Sequence, residues 1–192
     1  MIFAKIDFIN LLPFHIYIKK NIHSNQLKAI IEYKKSYPSF INNKFKKRKV
    51  DSAFISSIAS RNEKNLDFGI IAKNEVLSVL LIQGIEEDDF QSQTSNALAK
   101  VLGLKGKVLI GDKALRFFHD NQNLEKYDLA KEWKNKYNLP FVFAVLCFNK
   151  NKIRLEKLTK KFNKKHIKIP QYILEQYSKR SGVSKNNILE YL

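Results

Sequence analysis

Cysteine is almost absent from this chain. Of 192 residues only Cys147 carries a thiol, so no internal disulfide can form, and without a CxxC pair or a Cys/His cluster a structural zinc site is excluded too. Acidic residues are scarce, 18 against 35 Lys and Arg, which leaves a formal net charge of +17. Arginine is scarce within that basic set: Arg is 5 of the 35 and Lys the other 30. Planar bidentate recognition of bases and phosphates favours Arg, so the charge reads first as a lysine-coated surface, and no specific nucleic-acid partner is expected. No stretch approaches the ~20 uninterrupted apolar residues of a membrane helix, so no membrane association is expected. The start, Met1 to Asn10, alternates and lacks the basic, apolar and small-residue order of an export signal, which with the lone thiol points to a reducing, cytoplasmic setting. GxSxG, GxxxxGK[ST] and GxGxxG are all missing, which leaves hydrolase, nucleotide and dinucleotide readings without support.

What is present is a globular pattern, 44% hydrophobic, too apolar for a disordered chain. Ile2, Ala4, Ile6 and Phe8 share one side of an extended segment, a first strand ending at Asn10. Pro13 suits the first turn of a helix through Lys20. Leu27 to Tyr33 reads as a second strand, and Ser39 as the cap of a helix from Phe40. Val50 to Ile55 reads as a third strand followed by a short helix after Ser57. Leu66 to Ala72 and Val76 to Ile82 are further apolar runs. A helix is expected to begin near Ser95, a short strand to end at Gly111, Asp128 to cap the helix bearing Trp133, and Phe141 to Phe148 to form a buried run. Pro170 starts and Gly182 ends a later helix. Strands alternating with helices predict an α/β fold with a largely parallel sheet. Its simplest organisation is two lobes: residues 1–82 opening the first, 83–150 the second, and 151–192 returning to the first as helices.

In such folds ligands lie beyond the C-terminal ends of strands, where helix N-termini offer free N–H groups. Asn10, Ser39, Ser56 with Ser57, and Thr94 with Ser95 each follow an apolar run and precede an expected helix. They are therefore either simple caps or a cradle for a carboxylate or phosphate. Asp112 contacts a substrate or caps the helix after it. His15, His23, His119 and His166 show no metal-ligand spacing, and His15 reads as a structural histidine. Cys147, in an apolar run with no nearby cation, reads as an inert thiol. A rival signal lies in Tyr172 to Ile188, where Ser178, Gly182, Val183 and Ile188 fall at helix-turn-helix offsets in a basic chain. It carries the alternative of a basic DNA binder.

Taken in order, Lys5-Ile-Asp-Phe-Ile-Asn-Leu-Leu-Pro13, Tyr37-Pro-Ser39, Val50-Asp-Ser-Ala-Phe-Ile-Ser-Ser57, Ser78-Val-Leu-Leu81, Leu109-Ile-Gly-Asp112 with Ala114-Leu115, and Tyr127-Asp-Leu-Ala-Lys-Glu-Trp133 through Leu139-Pro-Phe-Val-Phe143 resemble the chorismate dehydratase family of the futalosine route to menaquinone. The resemblance covers nearly the whole chain. It implies an α/β, two-lobed fold like the type II periplasmic binding proteins, with a ligand cleft between lobes. It also implies the conversion of chorismate, a dicarboxylate, to 3-[(1-carboxyvinyl)oxy]benzoate and water, with no metal or organic cofactor. By that resemblance Asn10 orients the reacting hydroxyl, and Ser39, Ser56, Ser57, Ser78, Thr94 and Ser95 contact the substrate. The stretch Gln91-Ser-Gln-Thr-Ser95 is poorer in Ser and Thr than the family pattern, and the family continues beyond the position of Leu192. Other readings stay open: a non-catalytic binder of a small anion, or the later naphthoate-forming enzyme of the same route, whose expected histidine base has no evident counterpart.

Overall fold

The computed structural model describes residues 1–162 and 167–192. His166 and the middle of the Lys-rich stretch after Lys150 lie outside the described residues. In chain order the elements are β1 (Phe3–Ala4), a 3₁₀ turn (Ile9–Leu11), α1 (Leu12–Lys20), α2 (Asn25–Tyr33), α3 (Pro38–Lys46), β2 (Ser52–Ser56), β3 (Asn65–Ala72) and β4 (Val79–Ile82). There follow α4 (Gln93–Leu102), β5 (Lys107–Ile110), α5 (Gly111–Asp120), β6 (Lys126–Asp128), α6 (Leu129–Tyr137), β7 (Phe141–Phe148), α7 (Lys152–Phe162), α8 (Gln171–Ser181) and α9 (Lys185–Tyr191). One sheet has the order β1-β2-β7-β3 and a second the order β5-β4-β6. The α/β class expected from the sequence is what the chain adopts.

Two compact units result, one made of Met1–Ile70 with Ala144–Ile169, the other of Ile71–Phe143 with Pro170–Leu192. The division departs from the boundaries expected at residues 82 and 150. It also places residues 170–192 in the second unit, whereas α7 packs on α1 in the first. The cause is long-range pairing that local patterns do not encode: Arg180 binds Asp112 at 2.6 Å and the Tyr191 hydroxyl meets Ser78 at 2.7 Å.

The first unit is built around aromatic rings. Phe14, delivered by α1 behind Pro13, lies 5.1 Å from Phe54, 5.4 Å from Phe68 and 5.2 Å from Phe162, mostly edge-on. Tilted and edge-on geometries of this kind add to the gain from apolar burial. β1 and β2 are parallel, with Phe3 opposite Ser52 and Ala4 opposite Ala53, but β7 runs antiparallel to β2. In the second unit β4 is antiparallel to both β5 and β6. The sheets are thus mixed rather than largely parallel. Residues 83–92 account for much of this, because they run back alongside β5, bridged in parallel at Glu87 and Lys107, before α4 begins.

Other local expectations are corrected as well. The first strand is only two residues long, and Asn10 sits in the 3₁₀ turn. Residues 27–33 are helical, because Leu27, Ile30 and Ile31 recur at helical spacing with Ile31 buried, and the Ser24 hydroxyl accepts from Leu27 N–H at 3.3 Å to start the helix. A turn rather than a helix follows Ser56, closed by Ala59 N–H to the Ser56 carbonyl at 2.9 Å. The expected pair of helices meeting at Gly182 is present. Gly182 has φ +73°, the left-handed conformation that favours glycine at a helix end.

Candidate functional site

In the first unit the expected residues leave one edge of the sheet. β1 and β2 are parallel and in register, so the Asn10 turn and Ser56 both follow C-terminal strand ends on that edge. The segment before Ser39 joins them: Ser36 N–H donates to the Lys5 carbonyl at 3.0 Å and Asp7 N–H to the Ser36 carbonyl at 3.2 Å. Ser39 does not cap α3. The cap position is Tyr37, with no side-chain bond, and Ser39 lies inside the first turn with Pro38 before it. One turn further along α3, Asn42 is buried and holds Ser56 with both ends of its amide. Its Nδ2 donates to the Ser56 Oγ at 2.9 Å and its Oδ1 accepts from Ser56 N–H at 3.2 Å. Ser57 is half-buried in the turn that follows, its carbonyl accepting from the Ser60 hydroxyl at 2.9 Å.

Asn10 differs from these in being chemically open. Its Oδ1 is shielded from solvent and takes no hydrogen bond from the described residues. A buried amide oxygen without a donor costs about 1–3 kcal/mol, and the Tyr17 hydroxyl, Ser52 Oγ and Asn149 Oδ1 share that state. His15, by contrast, is buried in the fold with Nε2 3.0 Å from the Ile6 carbonyl, as a structural histidine should be. Cys147 is fully buried, and burial, helped by Glu63, pushes its thiol up to about 12, which fits an inert core group.

Carboxylates organise the second unit. The Asp128 carboxylate caps α6 through Ala130 N–H at 3.0 Å and Lys131 N–H at 3.1 Å, as its sequence position predicts. Its other oxygen accepts from Val76 N–H at 2.9 Å and Leu77 N–H at 2.7 Å, which no local pattern foretells. Burial raises its pKa, with those four N–H bonds pulling it back. Leu77 is held at φ +56°, a strained conformation for a bulky residue, and delivers Ser78 to the start of β4. Ser78 is buried, its carbonyl accepting from Gly111 N–H at 2.8 Å and its hydroxyl bonded to Tyr191 at 2.7 Å.

Asp89, its side chain fully buried, ties the approach to α4 onto the end of β5 by accepting from Gln91 N–H at 3.0 Å, Ile110 N–H at 3.1 Å and the Lys113 ammonium at 2.7 Å. The cap of α4 is Ser92, whose Oγ accepts from Ser95 N–H at 3.2 Å and lies 3.0 Å from the Ser95 hydroxyl. Thr94 and Ser95 are therefore buried in the first turn rather than at the cap. Asp112 is not a cap either; it pairs with Arg180. That pair borders a hollow of about 440 Å³ that also includes Lys113, Arg116 and Phe117 but not Asn10, Ser39, Ser56, Ser57, Ser78, Thr94 or Ser95. Its cations are already matched, Lys113 with Asp89 and Arg116 with Asp120 at 3.3 Å.

Sequence reasoning thus missed Asn42, Ser92 and Tyr191, which hold expected residues rather than being among them, and Asp89, which ties the segment before α4 to β5 and α5. Only Ser92, three residues before Ser95 and directly before a helical run, carried a readable signal. Among the described residues no cluster of three His, Cys, Asp or Glu side chains is placed to hold a metal ion, and no helix is long and apolar enough to cross a membrane.

The chain matches a family model described as menaquinone biosynthesis over residues 95–192. It is 48% identical over 196 residues to a curated protein of Campylobacter jejuni subsp. jejuni named chorismate dehydratase, a match spanning 100% of this chain and 87% of that protein. Among solved structures it is similar to a crystal structure of a protein from Archaeoglobus fulgidus, with a TM-score of 0.51 at 10% identity, covering 98% of this chain and 80% of the other. At that identity the likeness bears on the fold alone.

Proposed function

The chain belongs to the menaquinone-biosynthesis family, and from that premise we propose that it is a chorismate dehydratase, a carbon-oxygen lyase that converts chorismate to 3-[(1-carboxyvinyl)oxy]benzoate and water. The hydroxyl on the diene ring and a proton from the neighbouring ring carbon leave together as water, and the ring becomes aromatic. That product stability lowers the demand for a strong base, so holding the ring and hydroxyl in a reactive pose supplies much of the catalysis. The reading needs no cofactor, and the balance of the reaction leaves nothing to be oxidised or reduced.

Within this reading Asn10 orients the reacting hydroxyl, which donates to its Oδ1. The observation that supports the assignment is the solvent-shielded Asn10 Oδ1 with no donor among the described residues. Ser39, Ser56, Ser57, Ser78, Thr94 and Ser95 are assigned to substrate contacts, hydroxyls being suited to carboxylates. Placement in the cytoplasm belongs to the same proposal, and the buried, unpaired Cys147 thiol suits it. The test is incubation of purified wild-type and Asn10→Ala protein with chorismate, followed by ultraviolet absorbance. Wild type should generate the aromatic product and Asn10→Ala should lose at least about a hundredfold in rate with its fold intact. Full activity in that variant removes Asn10 from the mechanism. A non-catalytic anion binder would instead show chorismate-dependent thermal stabilisation with no turnover.

A further inference from the structure

The Asn42 amide has only one possible orientation. A backbone N–H can only donate, so the atom 3.2 Å from Ser56 N–H is the oxygen, and the atom 2.9 Å from the Ser56 Oγ is the NH₂ group. The Ser56 Oγ therefore accepts from Asn42, and the serine's own proton must be given elsewhere. Ser56 is buried at 3% exposure, and no described residue accepts that proton. A buried hydroxyl proton left over in this way is available to an acceptor brought by a ligand. β2 carries no titratable side chain, and the charged residues of α3, Lys44 and Lys46, are donors only.

We propose that Asn42 is a positioning residue that sets Ser56 as a hydrogen-bond donor to a carboxylate of the substrate. The inference rests on the dehydratase reading and on Ser56 as a substrate contact. It adds the reason why the hydroxyl suits an anion: the Asn42 NH₂ group takes one of its two lone pairs and keeps the O–H from pointing at Asn42, so a ligand group that accepts finds a preset O–H. Asn42 touches no substrate itself.

Asn42→Asp keeps the shape and the acceptor for Ser56 N–H but replaces the NH₂ group with a carboxylate oxygen. Ser56 then donates to Asp at that position and no longer to the ligand. KM for chorismate should rise roughly ten- to hundredfold, the range for a lost hydrogen bond to a charged group, while kcat changes less than threefold or so. Lowering the pH until the new carboxyl takes up a proton restores a donor toward Oγ and should bring KM back toward the wild-type value measured at the same pH. A merely structural defect would not recover in this way. Because the serine's O–H is the only group the change acts through, adding Asn42→Asp to Ser56→Ala should raise KM no further than Ser56→Ala alone. Asn42→Ala introduces no buried charge and serves if the Asp variant does not fold; it frees the serine to turn and should raise KM several-fold at near-constant kcat. Wild-type turnover with KM unchanged in a folded Asn42 variant overturns the inference and leaves the dehydratase reading standing. A wild type that neither turns over nor binds chorismate overturns both.

Discussion

The two units hold the residues singled out above through different groups, although each also uses the other's device elsewhere: Asp51 takes Ile2 N–H in the first and the Asn96 amide grips the Asp89 backbone in the second. In the first, a neutral amide, Asn42, fixes Ser56 over a core of aromatic rings; in the second, buried carboxylates, Asp128 and Asp89, gather backbone N–H groups around Ser78 and the start of α4. The contrast shows two ways of paying the cost of a shaped loop. An amide satisfies one serine and little else, so its loss is local. A carboxylate that accepts from four separate N–H groups joins segments about 50 residues apart, since Asp128 binds Val76 and Leu77 at separations of 52 and 51, and its loss dismantles them together. The prediction is that damage in the first unit scales with lost packing and damage in the second with lost charge-assisted bonds.

The largest effect should come from the aromatic core. Phe14→Ala leaves Phe54, Phe68 and Phe162 without their common neighbour and should destabilise by about 3–5 kcal/mol in denaturant unfolding. Next is Asp128→Ala, which strands four N–H groups, releases the strained Leu77 and should cost about 3 kcal/mol. If the carboxylate matters only as the cap of α6, the loss will stay near 1 kcal/mol, and the contrast between units weakens.

Alkaline titration sharpens the comparison from another side. Burial, only partly offset by the Ser78 bond, pushes the Tyr191 phenol up to about 12 from an ordinary value of 10.0. The folded state thus keeps a proton that the unfolded chain releases. The stability this confers is whole below pH 10 and is lost as the pH climbs from 10 through 12, up to about 3 kcal/mol. Tyr191→Phe should flatten that part of the unfolding-versus-pH curve. Cys147 plays the same role in the first unit, over a window from 9.0 to about 12, and Cys147→Ala should flatten it there. The smallest effect belongs to Asp120→Ala: the Arg116–Asp120 pair is exposed on one face of α5, and its loss should cost under about 0.5 kcal/mol, fading with salt.

What the sequence made legible were features that one segment settles for itself. Pro13 in the first turn of α1, Asp128 before α6, Pro170 before α8 and Gly182 after it are all where local chemistry puts them. Residues 27–33 went astray because Ile30 and Ile31 are β-branched neighbours, and that cue outweighed the helical spacing of Leu27, Ile30 and Ile31. The direction of β5 against β4 turned on an extended stretch between β4 and α4 that carries no strand pattern. For the site, Asn10 and Ser56 could be picked out as polar residues after strands, but Asn42 could not, since its partner lies 14 residues away across a helix and a loop. Tyr191, 113 residues from Ser78, left no trace at all in the pattern.

Mass spectrometry of chorismate incubated with the purified wild-type chain tests the central claim most directly. The account predicts a new species lighter than chorismate by one water, with the absorbance of a substituted benzoate, formed without added metal or cofactor. Chorismate recovered unchanged, from protein shown to be folded, would contradict it.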